Sequence, residues 1–379
     1  MDSPFIYDKY VTGKNFIGRR NDSTILGNLI RQGEHICMYD IPRSGKTSLI
    51  QHTLFHLRIQ GFQFTAAQMT AQNIRTTEAF LRKLGGVVIR SVASSPMEYS
   101  DIVGQYLSGT HFVFDRAIFG RDDQILSLNW DLDENDIRAV LSLPQRLAAD
   151  RDVNLIVMIE EFQNLDFPED SRTLLKIFEE VLSERKSGCT FIFCGSCYNA
   201  MKDMIETRGL FYRMVEKFRL SPVDEKEIID HIVKGFLSSG KVIDRDLLLG
   251  VCRMFRCNLW YINHFAAICD SMSKGYIMEP VLLDALSCLI AVHEPRFRSM
   301  MNSLTTHQVN LLRAILDGYK KFSTSEVVHK YSLNSSANVK RVKDALVKKE
   351  IVSFNEKDEP LLLDPLFEYW VRKYYFEIA

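Results

Sequence analysis

The sequence predicts an α/β protein: a doubly wound parallel sheet, followed by an all-helical segment and a C-terminal winged helix. Three observations carry this. Between 36 and 220, short apolar runs alternate with amphipathic helical stretches. The first of those runs ends in a polar turn, and Gly45-Lys46-Thr47 then opens a helix. Beyond Pro222 the apolar period is helical, until two short strand-like runs flank an acidic turn near the C-terminus. The expected division is a sheet domain at 1–222, interrupted by an insertion at 94–130, a helical lid at 223–302 and a winged helix at 303–379.

Composition sets the broad class. A chain of 379 residues exceeds the roughly 250–300 residues at which single cores stop growing. The formal charge of −1 makes it no general polycation, so any nucleic-acid contact must come from a local patch. The eight cysteines are spread through apolar segments, which points to reduced, buried thiols. Cys194-Gly-Ser-Cys197 has the spacing of a metal or redox pair, but no second pair lies nearby, and a structural role is the better reading. The first residues lack a basic stretch followed by an apolar core, and no run approaches a membrane span; a cytoplasmic protein is expected.

Taken in order, Asn21-Asp22-Ser23 is expected to cap a helix over 24–32. The apolar run 36–39 is short enough for a central strand covered on both faces, and 47–60 follows as a helix. The linking segment Pro42-Arg43-Ser44-Gly45-Lys46-Thr47-Ser48 has the parts of a phosphate loop. Backbone N–H groups at a helix N-terminus face phosphate, a lysine reaches the β/γ oxygens and a hydroxyl ligates Mg²⁺. A bare Gly-Lys-Thr arises by chance about once in several chains of this length, and the full pattern asks for glycine where Asp40 stands. Context therefore decides. A second strand at 62–68 and a helix at 76–91 continue the alternation. The stretch 94–129 is mixed, with isolated aromatics such as Tyr99 and Phe119, and has no assignable structure.

Asp133 or Asn135 can cap a helix to about 149, and 153–159 is the most apolar strand candidate. It ends in Glu160-Glu161, at the strand end where a doubly wound sheet places its ligand chemistry. With a phosphate loop upstream, Glu160 is the candidate Mg²⁺-shell carboxylate and Glu161 the candidate that orients water; the plainer reading is a solvated pair before Pro168. A helix at 171–187 leads to a strand at 189–194 ending in Gly195-Ser196, where Ser196 would face a γ-phosphate or merely cap the next helix, 198–206. Arg213 precedes a last strand at 215–220 and could reach phosphate in its own or a neighbouring subunit, or pair on the surface.

From 224 to 292, four helices (224–239, 244–255, 259–273, 280–292) are expected with no strand between them, and His231, His264 and His293, each solitary on its helix, read best as packed or solvent-facing histidines. Helices at 306–316, 326–331 and 337–349 followed by strands at 351–354 and 361–363 make a winged helix. Its third helix carries Lys340, Arg341, Lys343, Lys348 and Lys349, a patch suited to DNA phosphates; the acidic wing loop of Glu356, Asp358 and Glu359 argues instead for an ordinary solvated face.

Phe16-Ile-Gly-Arg19, Pro42 to Ser48, Ile159-Glu-Glu-Phe-Gln163, Cys194-Gly-Ser196, Leu210-Phe-Tyr-Arg213 and Leu363-Asp-Pro-Leu-Phe-Glu-Tyr-Trp370 occur in the order of archaeal-type ATPases. The chain resembles that family: P-loop ATPases of the STAND class within the AAA-related lineage, found in bacteria too, with a C-terminal winged helix. The resemblance implies a regulatory ATP/ADP switch with Mg²⁺, slow hydrolysis, nucleotide-dependent domain arrangement or self-association, and a DNA or protein partner. It implies Lys46 on the β/γ-phosphates, Thr47 and Glu160 at Mg²⁺, Glu161 polarising water, Ser196 as phosphate sensor, and Arg213 more remotely. Asp40 and Glu160 depart from the family pattern of glycine and aspartate at these positions. A second reading is therefore kept, a DNA-binding or scaffold protein whose loop holds nucleotide without hydrolysing it.

Overall fold

The computed structural model describes residues 3–115, 125–167, 171–184 and 188–378. The chain divides into two compact units, one made of 20–42 and 49–220, the other of 1–19, 43–48 and 221–379.

The first unit is the sheet. α1 (Arg20–Arg31) leads to β1 (Ile36–Tyr39), and α2 (Lys46–Ile59) follows the loop. Then come β2 (Thr65–Thr70), α3 (Thr77–Val92), α4 (Pro96–Tyr106), the short strands β3 (Phe112–Phe114) and β4 (Leu126–Leu128), α5 (Glu134–Arg151), β5 (Leu155–Glu160), α6 (Ser171–Ser183), β6 (Cys189–Gly195), α7 (Tyr198–Lys202) and β7 (Glu216–Phe218). Five strands pair in the order β2-β5-β6-β1-β7, with every pairing parallel. β5 and β6 are almost entirely buried, as an apolar run must be when both faces of a sheet are covered.

Several bounds differ from expectation. α1 begins at Arg20, so Asn21-Asp22-Ser23 lies inside the helix; the start is set by left-handed backbone at Gly18 and Arg19 (φ 65° and 51°). β2 begins at Thr65, where Asn154 first supplies a carbonyl partner, 2.8 Å from the Thr65 amide. The insertion has structure: β3 and β4 form an antiparallel pair, and Ile102, Tyr106, Phe112 and Leu126 join the unit's core. Phe119, Pro168 and the end of the helix expected to reach 187 lie outside the described residues. Asp133 is the cap of α5, in a reciprocal capping box with Asp136.

The second unit contains α8 (Glu225–Ser238), β8 (Val242–Ile243), α9 (Arg245–Met254), α10 (Leu259–Met272), β9 (Tyr276–Ile277) and α11 (Glu279–Asn302), then α12 (Thr306–Leu316), α13 (Ser325–Lys330), α14 (Ser336–Lys348), β10 (Val352–Phe354), β11 (Pro360–Leu362) and α15 (Pro365–Trp370). The expectation of helices alone before 302 is corrected: β8 and β9 form a two-residue parallel pair, too short to leave a period in the sequence. α11 also runs past 292, through Pro295. Interior proline costs about 3 kcal/mol, which burial of Phe297 and Met301 along the same helix opposes. α12 to α14 with the antiparallel β10–β11 pair have the winged-helix arrangement. Thr305, Thr324 and Ser335 cap its three helices. Among the described residues, no helix is long and apolar enough to cross a membrane.

Candidate functional site

The phosphate-loop residues Arg43 to Ser48 belong to the second unit. Gly45 has φ 94°, and a Cβ there would stand 3.0 Å from Arg19 Nη1, so the backbone at this point requires glycine. Arg19 braces the loop: its Nη1 donates to the Ser44 carbonyl at 2.6 Å and its Nε to the Ser221 carbonyl at 2.7 Å. The sequence quotes Arg19 within Phe16-Ile-Gly-Arg19 but gives no sign that it holds the loop. Lys46 is buried, with Nζ 3.4 Å from Ser44 Oγ, and it begins α2 with Thr47 next in the helix. Ser48 has a structural partner, its Oγ accepting from the Val11 amide at 3.2 Å.

Arg43, with left-handed φ 64°, lays its guanidinium 3.5 Å from the centre of the Trp260 ring on α10. Burial lowers its pKa, Tyr261 and Asp364 oppose that, and Arg296 adds to it. His264 and His293 are packed histidines, each the one histidine of its helix: Tyr7 stacks on His264 with centroids 4.1 Å apart, and His264 and His293, from neighbouring helices, lie 5.8 Å apart. The buried His264 Nδ1 and His293 Nε2 atoms have no hydrogen-bond partner. Burial first, then neighbouring cations, pushes His293 down to about 4, and burial with Arg43 lowers His264. His231 is separately held, 3.2 Å from Asn263 Oδ1.

In the sheet unit, β1, β5 and β6 are parallel neighbours, so Tyr39-Asp40, Glu160-Glu161 and Gly195-Ser196 leave the sheet at one edge. The Asp40 amide donates to the Gly195 carbonyl at 3.4 Å, and the Asp40 carboxylate accepts from the Ile41 amide at 2.7 Å, turning the chain out of β1. Glu160 is the last residue of β5. Glu161 follows at φ 55°, ψ 41°, and its Oε2 accepts from Ser196 Oγ and Gln163 Nε2, each at 2.6 Å. Left-handed backbone at a non-glycine residue is strained. It is held here by buried rings: Phe162 stacks on Phe193 at 4.2 Å and packs edge-on against Phe211 at 5.7 Å. The structure thus joins Glu161 to Ser196, a pairing that the sequence reading did not propose, and adds Gln163, which the sequence quotes within Ile159-Glu-Glu-Phe-Gln163 without a role.

The remaining candidates are placed more plainly. Arg213 is exposed, at φ 60°, with its guanidinium 5.2 Å from the Tyr212 ring. All eight cysteines are thiols; Cys194 is buried at the end of β6. On α14, Lys340 and Arg341 are exposed, whereas Lys343 donates to both carboxylate oxygens of Asp358 at 2.6 Å and lies over Phe354. Lys320, before α13, donates to Glu359 Oε1 at 2.6 Å, and through Asp358 the wing neutralises part of the basic face of α14.

Residues 295–373 match the family model described as "Probable winged helix domain". No curated protein matches the chain in sequence. Solved structures do match in fold. The Walker-type ATPase of Pyrococcus abyssi superposes with a TM-score of 0.67 at 14% identity, over 97% of this chain and 99% of that one. The ORC2 protein of Aeropyrum pernix in its ADP form gives 0.56 at 16% identity, over 95% and 93%. Its ADPNP-ADP complexes give 0.54 at 16%, over 93% of each chain. At such identities the likeness is one of fold: the chain has the parallel-sheet α/β architecture of P-loop ATPases together with a C-terminal winged helix.

Proposed function

We propose that this protein is a regulatory ATPase of the archaeal type, a STAND-class member of the AAA-related lineage that acts in the cytoplasm. It binds ATP with Mg²⁺, hydrolyses it slowly, and passes nucleotide state to a DNA or protein partner through its winged helix. The observation that carries this reading is the Glu161–Ser196 pair at 2.6 Å, where β5 and β6 end at one edge of the parallel sheet. A carboxylate tied to a hydroxyl on the neighbouring strand end suits a group that orients water and senses phosphate.

The donor types fit the nucleotide. Lys46 opens α2, so its charge and the first amides of the helix favour phosphate together. Thr47 and Glu160 offer the hard oxygens that Mg²⁺ takes. When bound, the metal would neutralise phosphate charge. Pro42, Arg43 and Ser44 shape the loop; Ser48, held by Val11, supports it from behind. Glu161 takes the water-orienting role, with Ser196 fixing its carboxylate. Arg213, exposed on its left-handed turn, is assigned to a neighbouring copy in a nucleotide-dependent assembly. Lys340 and Arg341 are the residues offered to DNA, Lys343 being engaged by Asp358.

Calorimetric titration with ATP and ADP, with and without Mg²⁺, tests binding, and sizing of the liganded protein tests assembly. Tight Mg²⁺-dependent ATP binding supports the reading; absence of binding contradicts it. Binding without turnover would select the alternative, a scaffold or DNA-binding protein with an inactive loop, which Asp40 at the loop's start favours.

A further inference from the structure

We infer that Gln163 is a positioning residue for Glu161: its side-chain amide fixes which carboxylate oxygen is left to meet water. The inference rests on the reading of Glu161 given above.

Four observations converge. First, Gln163 Nε2 donates to Glu161 Oε2 at 2.6 Å, the same oxygen that accepts from Ser196 Oγ at 2.6 Å. A carboxylate has no proton to give, so the amide must present its N–H side to it, and the orientation of Gln163 is chemically fixed. Two donors on one oxygen set the plane of the carboxylate and reserve Oε1 as the acceptor for water. Second, Gln163 is only 8% exposed, and its Oε1 is buried with no hydrogen-bond partner. A buried amide oxygen left without a donor opposes folding. An apolar side chain of the same length would avoid that penalty, so packing alone does not account for glutamine here.

Third, the neighbouring strand end leaves room for this amide. A Cβ on Gly195 would lie 2.9 Å from Gln163 Oε1 and 2.1 Å from Met201 Cγ, so the close approach of Gln163 depends on glycine at 195. Fourth, the backbone aims it. The left-handed Glu161 begins a 3-10 turn over Phe162–Leu165, which turns the residue two positions later back toward the Glu161 carboxylate. Phe162, fully buried, locks that turn. The result is a bracket of three side chains, with Ser196 supplied by β6 and Gln163 by the turn after β5, closing on one oxygen.

The test compares the native chain with Glu161→Gln and Gln163→Met. Steady-state Mg²⁺-ATP hydrolysis, ATP affinity by titration and the thermal midpoint without nucleotide are measured for each. The inference expects Gln163→Met to lose about tenfold in kcat while KM and ATP affinity stay within about twofold and the midpoint holds or rises, because the orphaned oxygen is gone. Native kcat in Gln163→Met, with Glu161→Gln inactive, overturns the inference and leaves the reading of Glu161 standing. A lowered midpoint or an equal loss of ATP affinity assigns Gln163 a structural role and also overturns it. No native turnover, or full activity in Glu161→Gln, overturns the reading itself and this inference with it. Gln163→Leu answers the same question should the methionine variant fail to fold.

Discussion

Two carboxylates, Glu161 and Asp364, each start a helical turn and each gather several donors, yet they are held in opposite ways. Asp364 is consumed by the fold. It accepts from the Leu366 and Phe367 amides at 3.0 and 3.1 Å, capping α15, while Tyr261 Oη lies 2.9 Å from both of its oxygens and Arg296 pairs with it. Its backbone is extended and unstrained. Glu161 caps nothing with its side chain, sits on left-handed backbone, and takes both donors on a single oxygen. A carboxylate whose every lone pair serves the structure has a stability role. One that is aimed at a cost in backbone strain, with half its acceptor capacity kept back, is what the proposed water-orienting role of Glu161 requires.

The largest effect that separates the two belongs to Glu161. Glu161→Gln is expected to lower kcat by about 10²-fold or more, the usual worth of a positioned proton-transfer group, with ATP binding retained. Phosphate release alongside titration checks it, and a large stability loss in that variant would erase the contrast. Next comes Asp364→Ala, expected to cost about 2–3 kcal/mol, roughly one for the cap and the rest for the buried Tyr261 O–H, left without an acceptor although Arg296 still donates to its oxygen, and for the loss of the Arg296 ion pair. Denaturant unfolding measures this.

A smaller effect is expected where the loop meets the same unit. Arg43→Ala removes the guanidinium stacked on Trp260 and is expected to cost about 1 kcal/mol, read from the thermal midpoint. The histidines beside it give a pH signature. The folded state holds His293 at about 4, below the ordinary histidine value, so the native protein binds fewer protons than the unfolded chain. Stability is therefore full above the ordinary value of about 6.5 and declines as pH falls from there toward about 4. His293→Gln should flatten that slope, and an unchanged slope would remove His293 from the account. The smallest effect is on the winged helix: Lys340→Glu with Arg341→Glu should weaken duplex DNA binding and reduce its salt slope by about 2. Undiminished binding in filter or anisotropy assays would leave this face to a protein partner.

Much of this was legible in the sequence because it depends on local signals. β5 and β6 declare themselves by uninterrupted apolar runs, and Thr305, Thr324 and Ser335 cap the winged-helix elements as short polar residues do before a helical period. The strand ends at Glu160-Glu161 and Gly195-Ser196 were legible too, whereas the Glu161–Ser196 hydrogen bond between them was not. What stayed hidden depends on distant partners. Arg19 reads as one more surface arginine until it reaches carbonyls 25 and 202 residues away. β8 and β9 carry two residues each, below any detectable period. Gln163 shows its role only when Gly195 is beside it. The basic patch on α14 misled in part, because Asp358, 15 residues beyond Lys343, folds back to neutralise it.

The central claim is that the strand-edge carboxylate is poised for ATP hydrolysis. Single-turnover hydrolysis of Mg²⁺-ATP by the native chain and by Glu161→Gln, with each protein in excess at concentrations where titration shows all the ATP bound, addresses it most directly. The account predicts slow but measurable phosphate release from the native chain and loss of about 10²-fold or more in the variant. Equal rates in the two proteins, or none in either with ATP bound, would contradict it.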